Sequence, residues 1–548
     1  MNMKRIKLKL ATAIFLGSLM SSCYEDKGNY DYEQMNDITV EIPLESSDCV
    51  LGDVLKIIPE LKFSTGKETE NLTYLWTFDG QEIATERVLN WTVDKDGKYK
   101  DLRLAVKDQT TGVTYFGSAL LSVISPYTTD GWVTLSAKED GTSMLTYMRP
   151  TTKDQKYTCV VTKDVYGLSN GGATLGGKPI FMSQHFVSPW GSGEDNTSWL
   201  WITQQGGQGC VDVSGSSYQT EGYLPAMFIN GGYPQGFEPQ RVYDMVYLSM
   251  AIGRNGEIYT RVKESLNLFN SNYFLDDRVL LYNGQPIDGT MIAMTPEFYE
   301  HGGVLAYDKN SNRYLHITDL KASTLVIGSG MVDKYYSGNV LALETWDSSD
   351  PFDDMTGYTV HYIGACVGPY GQGGGSIGYM SVIEKDSRFF IQHFEVDDCS
   401  GKYAPGAYIT TPLREVPFAD IVNASTKNVY ALCYYQNSGR PYLLLSSDND
   451  LYLYYFNGDK GKQLIKFATF DAPITGIDTG GGAYEGHAGV GLENGEFYVL
   501  DLSLSVLEEI IKEGDSEKKV LFKEEGLGKI VQVCLLYTSP SPRDISGS

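Results

Sequence analysis

The sequence has little of what a metalloenzyme or a nucleic-acid binder needs. Its 548 residues hold six histidines, His185, His301, His316, His361, His393 and His487, and none stands in a His-Glu-x-x-His or comparable ligand spacing. Several lie in strand-like patterns, which suits packed or half-buried rings. The eight cysteines contain no Cys-x-x-Cys pair. Cys49, Cys159, Cys210, Cys366, Cys399 and Cys433 are scattered and read as small buried apolar residues, with one disulfide left open. Cations are scarce: 44 Lys and Arg against 69 Asp and Glu give a net charge of -25 and a pI near 4.7. Phosphate backbones would be repelled, so nucleic acid is excluded as a partner. Sialidase-type Ser-x-Asp-x-Gly-x-x-Trp boxes are absent. Gly371-Gln372-Gly373-Gly374-Gly375-Ser376 lacks the Lys-Ser/Thr of a phosphate loop and reads as an inter-strand loop. Helical periodicity is confined to Leu502 to Glu513, where Gly514 would stop a short surface helix.

What is present starts at the N-terminus. Lys4, Arg5, Lys7 and Lys9 precede an apolar run from Leu10 to Met20 that is too short to span a bilayer. Ser21 and Ser22 then lead into Cys23. Charge, apolar run, small residues and cysteine in that order make a bacterial lipoprotein signal. Cleavage before Cys23 would leave it as an acylated first residue, and several acyl chains anchor a protein far better than one. Residues 1–22 are therefore expected to be the signal peptide and 23–36 a polar tether.

Tyr24-Glu25-Asp26-Lys27-Gly28-Asn29-Tyr30-Asp31-Tyr32, followed by Asn36-Asp37-Ile38, resembles the start of PKD-like family lipoproteins of Bacteroidetes-type bacteria. The resemblance implies an Ig-like sandwich with a Tyr-x-Trp strand before a turn. It also implies export to the outer face of the outer membrane, signalled by acidic residues after the cysteine. It implies a gene neighbourhood of SusC/SusD-like uptake systems for glycans or peptides.

The rest of the chain reads as all-β. Fifty-nine glycines and thirty-nine tyrosines fit tight turns between aromatic-rich strands. Over residues 37–125, short alternating segments such as Ile38 to Ile42, Asn71 to Phe78, Asp101 to Val106 and Gly117 to Ile124 predict the PKD-like β-sandwich. Tyr74, Trp76 and Phe78 fall on one face, and Asp79-Gly80 is a hairpin turn pair. From residue 126 a unit recurs in which an Asp/Asn/Gly turn leads into an alternating strand. The turns are Glu139-Asp140-Gly141, Arg254-Asn255-Gly256, Asp308-Lys309-Asn310, Lys385-Asp386-Ser387, Ser447-Asp448-Asn449-Asp450 and Glu493-Asn494-Gly495. Most adjacent turns are about 45 to 75 residues apart, and the first gap is wide enough to hide a further unit. The spacing predicts a β-propeller-like domain of roughly seven or eight blades over residues 126–533, with two stacked sandwiches as the alternative. Cys534 to Asp544 can be written in codons as a transposase sequencing adapter. Residues 534–548 are thus expected to be artefact rather than native sequence.

Chemistry is harder to find. Asp347, Ser348, Ser349, Asp350, Asp353 and Asp354, and the shorter Asp94-Lys95-Asp96-Gly97, offer oxygens to calcium, but neither matches the twelve-residue calcium loop, and both read as solvated loops. No cofactor is implied and no catalytic residue stands out. The likeliest contact segment runs from Ser188 to Trp201, where Trp190 can stack on a sugar face or a peptide side chain while Asp195 and Asn196 offer hydrogen bonds. Trp199 and Trp201, two apart on a strand, read as inter-blade packing. The expectation is a non-enzymatic, surface-exposed outer-membrane lipoprotein. Beside a SusC/SusD-like transporter it would be an accessory that binds glycan or peptide. The alternatives are a carboxylate-based surface hydrolase or lyase, and a structural partner of the transporter without a ligand of its own.

Overall fold

A computed structural model describes residues 35–537 apart from 96, 154, 187–197, 245–247, 263–272, 277–278, 295–302, 319–320, 328–329, 336–338, 346–350, 367–376, 397–405, 410–412, 424, 434–441, 456–463, 481–483, 485, 504 and 508–518. The chain forms two compact units that divide between Ile124 and Ser125.

The first unit is a β-sandwich. Its larger sheet orders Asp48–Val50, Thr114–Ile124, Gly97–Asp108, Leu72–Phe78 and Gln81–Ala84. Two strand pairs face it, Ile38–Glu41 with Glu60–Phe63 and Val54–Ile57 with Leu89–Thr92. Alternation sends Trp76, Phe78, Leu102, Leu104 and Val106 inward against Val40, Ile57, Leu89 and Trp91. Tyr74 packs partly buried on the same side as Trp76 and Phe78, and the rings of Phe78 and Trp91 meet at 5.2 Å. Asp79 and Gly80 both hold positive φ, 48° and 77°, which matches a two-residue hairpin to the strand twist.

The second unit is a ring of seven antiparallel sheets, or blades. Blade 1 joins Gly131–Ala137, Ser143–Lys153 and Lys156–Thr162 to the distant Lys529–Leu536. Blade 2 is Lys178–Phe186, Ser198–Gln205, Val211–Ser214 and Thr220–Tyr223; blade 3 is Pro239–Asp244, Leu248–Gly253 and Ile258–Val262. Blade 4 is Ile292–Met294, Gly303–Asp308, Arg313–Thr318 and Asn339–Ala342. Blade 5 is built on Thr359–Cys366, Ile377–Lys385 and Arg388–Val396. Blade 6 is Tyr430–Cys433, Tyr442–Ser447, Asp450–Tyr455 and Leu464–Thr469; blade 7 is Ile474–Thr479, His487–Leu492, Phe497–Asp501 and Val520–Glu524.

Every blade shares an apolar core with the next. Leu145 of blade 1 packs in one cluster with Leu200 of blade 2, Trp201 with Val242 of blade 3, and Met250 with Leu315 of blade 4. Leu305 then clusters with Ile363 of blade 5, Val382 with Leu443 of blade 6, and Leu444 with Val490 of blade 7. The seventh core returns to the start, grouping Phe497 and Val499 with Trp132 and Ile530. Each sheet is therefore buried on both faces, and a lone blade would leave both wet. Of the expected seven or eight blades, the described residues form seven.

The C-terminal strand closes the ring. Lys529–Leu536 is the inner strand of blade 1, paired with Gly131–Ala137 and set beside the first strands of blades 7 and 2. The Asp478 carboxylate of blade 7 accepts the Leu535 N–H at 2.6 Å. On the other side the Gln532 amide makes two bonds of 2.7 Å with the backbone of Met182. Cys534, Leu535 and Leu536 pair with Val133, Trp132 and Gly131, so the strand runs beyond residue 533. Residues 538–548 lie outside the described residues.

All six Asp/Asn/Gly turns of the sequence are the hairpins between the second and third strands of a blade. Each holds a residue at positive φ: Gly141, Gly256, Asn312, Asp386, Asp448 and Gly495. Only Gly, Asn and Asp adopt that conformation at low cost, which is why the motif recurs. The hidden unit in the wide first gap is blade 2, whose hairpin uses Gly206, Gly207 and Gly209 instead. Between Leu502 and Glu513, residues 505–507 are helical, and 508–518 lie outside the described residues.

Candidate functional site

Blades 2 and 3 meet along a seam with an open cavity at one end and a buried charge cluster near the other. The cavity, of about 570 Å³, sits where both inner strands begin. Lys178, Pro179 and Ile180 supply one wall, and Tyr233, Phe237, Glu238, Pro239 and Gln240 the other. Gln204 to Gly209 and Arg254, from the hairpins of the two blades, complete it. Its volume lies in the range of roughly 300–1,000 Å³ usual for small-molecule sites.

Local packing fixes this shape. Gln204 is buried and tied on both ends of its amide, donating to the Leu175 carbonyl at 2.9 Å and accepting the Gly177 N–H at 3.0 Å. Gly207 holds φ 58°, and a Cβ there would strike the backbone of Leu175, Gly176 and Gly177. The hairpin can lie this close only without a side chain. Gly207→Ala is expected to cost at least ~2 kcal/mol, from left-handed strain and backbone overlap. Thermal unfolding of the purified variant by circular dichroism checks this, and an unchanged melting temperature would refute it.

The floor is aromatic. Phe237 is buried against Phe228, Tyr233 and Tyr259, with ring centroids 5.6, 5.5 and 5.1 Å away. Burial raises the Tyr233 phenol above its usual range, so the ring is neutral at physiological pH. Arg254 and Glu238 form an exposed pair at 3.1 Å on the rim. Lys178 is exposed and has no carboxylate partner among the described residues.

Further along the seam, His185, Asp212, Asp244 and Arg261 are all buried. His185 Nε2 bonds Asp212 Oδ1 at 2.9 Å, and its Nδ1 stands 3.6 Å from Asp244 Oδ2. Asp244 accepts the Trp201 indole N–H at 2.6 Å and the Ser249 hydroxyl, and Arg261 approaches it at 4.0 Å. The His185 ring stacks on Trp201 at 5.7 Å. Burial pushes the Asp212 carboxyl up to about 6, against the opposing pull of His185. The cluster cross-links the two blades, and its groups are closed to solvent.

The residues expected to make contacts from sequence, Trp190, Asp195 and Asn196, lie outside the described residues, as does Cys23. Of the neighbouring tryptophans, Trp201 is buried between blades and Trp199 half-buried, as inter-blade packing requires. His185, His316 and His393 are buried, His361 and His487 are half-buried, and His301 is outside the described residues. Gly371 to Ser376, Asp96, Asp347 and Asp350 are also outside. Asp94 accepts the Trp91 indole N–H at 3.0 Å, and Asp354 caps its own turn at Thr356. Gly374-Gly375-Ser376-Ile377-Gly378 spells Gly-x-Ser-x-Gly, but strand Ile377–Lys385 follows the serine where a nucleophile elbow needs a helix. Among the described residues, no group of three or more His, Cys, Asp or Glu is placed to hold a metal ion. Nor is any helix among them long and apolar enough to cross a membrane.

The cavity is not legible along the chain because its walls come from four separated segments. The local sign was Gly206-Gly207-Gln208-Gly209, a turn without the Asp or Asn of its six counterparts.

Comparison with known proteins adds to this geometry. A model described as the PKD-like family matches residues 23–179. The N-terminal sandwich is a PKD-like domain. The match to the PKD-like family starts on Cys23 and continues past Ile124 into the first two blades. No curated protein matches the chain. Among solved structures, a quinonprotein alcohol dehydrogenase-like protein from Bacteroides thetaiotaomicron is 16% identical with a TM-score of 0.36, over 90% of this chain and 97% of its own. PorZ, a surface component of the type-IX secretion system of Porphyromonas gingivalis, is 12% identical with a TM-score of 0.30, over 68% of this chain and 38% of its own.

Proposed function

We propose that the protein is a lipid-anchored component of the outer-membrane surface that binds glycan or peptide beside a SusC/SusD-like transporter. The observation that carries this reading is the order of parts: a lipoprotein signal ending at Cys23, a PKD-like domain, then a seven-bladed ring. An Ig-like spacer projects a recognition domain away from the membrane, and a ring of blades offers many loops on each face. The acidic surface suits a body held outside an anionic cell envelope. The role is binding, without catalysis, and a panel of polysaccharides and peptides is expected to remain uncleaved.

Two measurements test this. Cys23→Ser is expected to move the protein from the membrane fraction to the soluble fraction, and mass spectrometry of the native form should find acyl chains on Cys23. Protein that stays in membranes after the substitution would remove the anchor from the proposal. Trp190→Ala is expected to weaken binding of the co-purifying transporter's nutrient about tenfold without changing the melting temperature, as loss of one stacked ring does. Equal affinities in calorimetric titration would exclude Trp190 from the contact surface.

A further inference from the structure

We propose that the cavity between blades 2 and 3 is a binding site for a sugar acid: one or two sugar rings bearing a carboxylate. Lys178, on the cavity wall, begins the strand that carries His185 near its other end, so the cavity and the buried charge cluster are about 23 Å apart along an extended strand.

Three features of the lining select this chemistry. The first is charge. Lys178 and Arg254 against Glu238 leave the cavity net positive in a chain whose overall charge is -25. A cationic pocket on so acidic a protein favours an anion locally, against the field of the whole molecule. Arg254 gives one guanidinium nitrogen to Glu238 and keeps further N–H donors for a second carboxylate. The second is the amides. Gln205 and Gln240 line the cavity, and no hydrogen bond among the described residues engages their side chains. Each offers a donor and an acceptor, the pairing that a vicinal diol presents in reverse. The third is the floor, where Phe237 and Tyr233 present an apolar ring surface to a sugar face. An extended acidic peptide would instead call for an open groove with a strand edge to pair, and this cavity is walled by two proline-bearing segments.

The test uses the full chain and calorimetric titration with galacturonic acid, its dimer, the neutral galactose dimer and the dipeptide Glu-Glu. The uronate dimer is expected to bind, more weakly as salt rises, and the neutral dimer to fail at the same concentrations. Lys178→Gln and Arg254→Gln should each weaken the uronate about tenfold. Glu238→Gln should strengthen it, since it removes a competing carboxylate from an exposed pair. The three side chains are exposed, and far-UV circular dichroism confirms that the variants fold. The opposite sign at Glu238 separates a site for anions from general damage. Equal binding of the neutral dimer, Glu-Glu binding in place of the uronate, no uronate binding at all, or weakening by Glu238→Gln would each overturn the assignment.

Discussion

Deleting residues 529–537 is expected to unfold the whole blade ring, not merely its last strand. Ile530, Val533, Leu535 and Leu536 are buried, and at about 1.5–3 kcal/mol each their loss removes roughly 6–12 kcal/mol. A typical domain has a net stability of about 5–15 kcal/mol. The deletion also strips the inner edge of Gly131–Ala137 of its hydrogen bonds and opens the cores that blade 1 shares with blades 7 and 2. Among the described residues every other blade is built from strands of one stretch of the chain, and this is the one strand that pairs the end of the chain into the first blade. The expected result is loss of the cooperative melting transition together with an exposed, aggregation-prone sheet edge. The PKD-like sandwich has its own core and should keep its transition in the same calorimetric scan. A ring that melts as before would show that packing closes it without the strand.

The second large effect is expected at Asp244. Its carboxylate accepts the Trp201 indole N–H and the Ser249 hydroxyl and faces both Arg261 and His185, all away from water. Asp244→Ala would leave a buried guanidinium and a buried indole N–H without that acceptor, at a cost of about 3–5 kcal/mol. Asp244→Asn keeps one acceptor oxygen and should fall between wild type and Asp244→Ala. Denaturant unfolding of the three proteins gives the order; equal midpoints would mean that the cluster holds nothing together. The same cluster carries a pH signature. Asp212 titrates near 6 in the fold, raised first by burial, and near 4 when unfolded. Between those values the folded state holds more protons, so this group's contribution to stability is greatest below about pH 4 and declines as pH rises to about 6. Asp212→Asn cannot ionise. Its stability relative to wild type should therefore rise over that interval, and a constant difference would contradict the shift.

How much could be read beforehand differs from element to element. Trp76 and Phe78 were legible as core because strand alternation is a local property, and burial on one side of a sandwich follows it directly. The hairpins at Gly141, Gly256 and Gly495 were legible because positive φ restricts residue choice wherever it occurs. Blade 2 was hidden because its turn meets the same need with glycine alone, which is too common a residue to mark a repeat. The last strand shows the opposite difficulty. Read as codons, Cys534, Leu535 and Leu536 look like adapter; in the fold, Leu535 and Leu536 are buried in the ring. Nothing local links Leu535 to Trp132.

The sequence by itself determined that the chain is all-β, acidic, divided near residue 125 and built of repeated hairpins, since composition, alternation and turn chemistry act over a few residues. Only the tertiary structure decided that the described strands form seven blades, that Gly131 and Leu536 pair to close them, and that Lys178, Gln205, Phe237 and Arg254 line one cavity. The reason is that sheets bury their faces against partners dozens to hundreds of residues away. Which partners those are depends on the geometry of the ring, not on any pattern within reach along the chain.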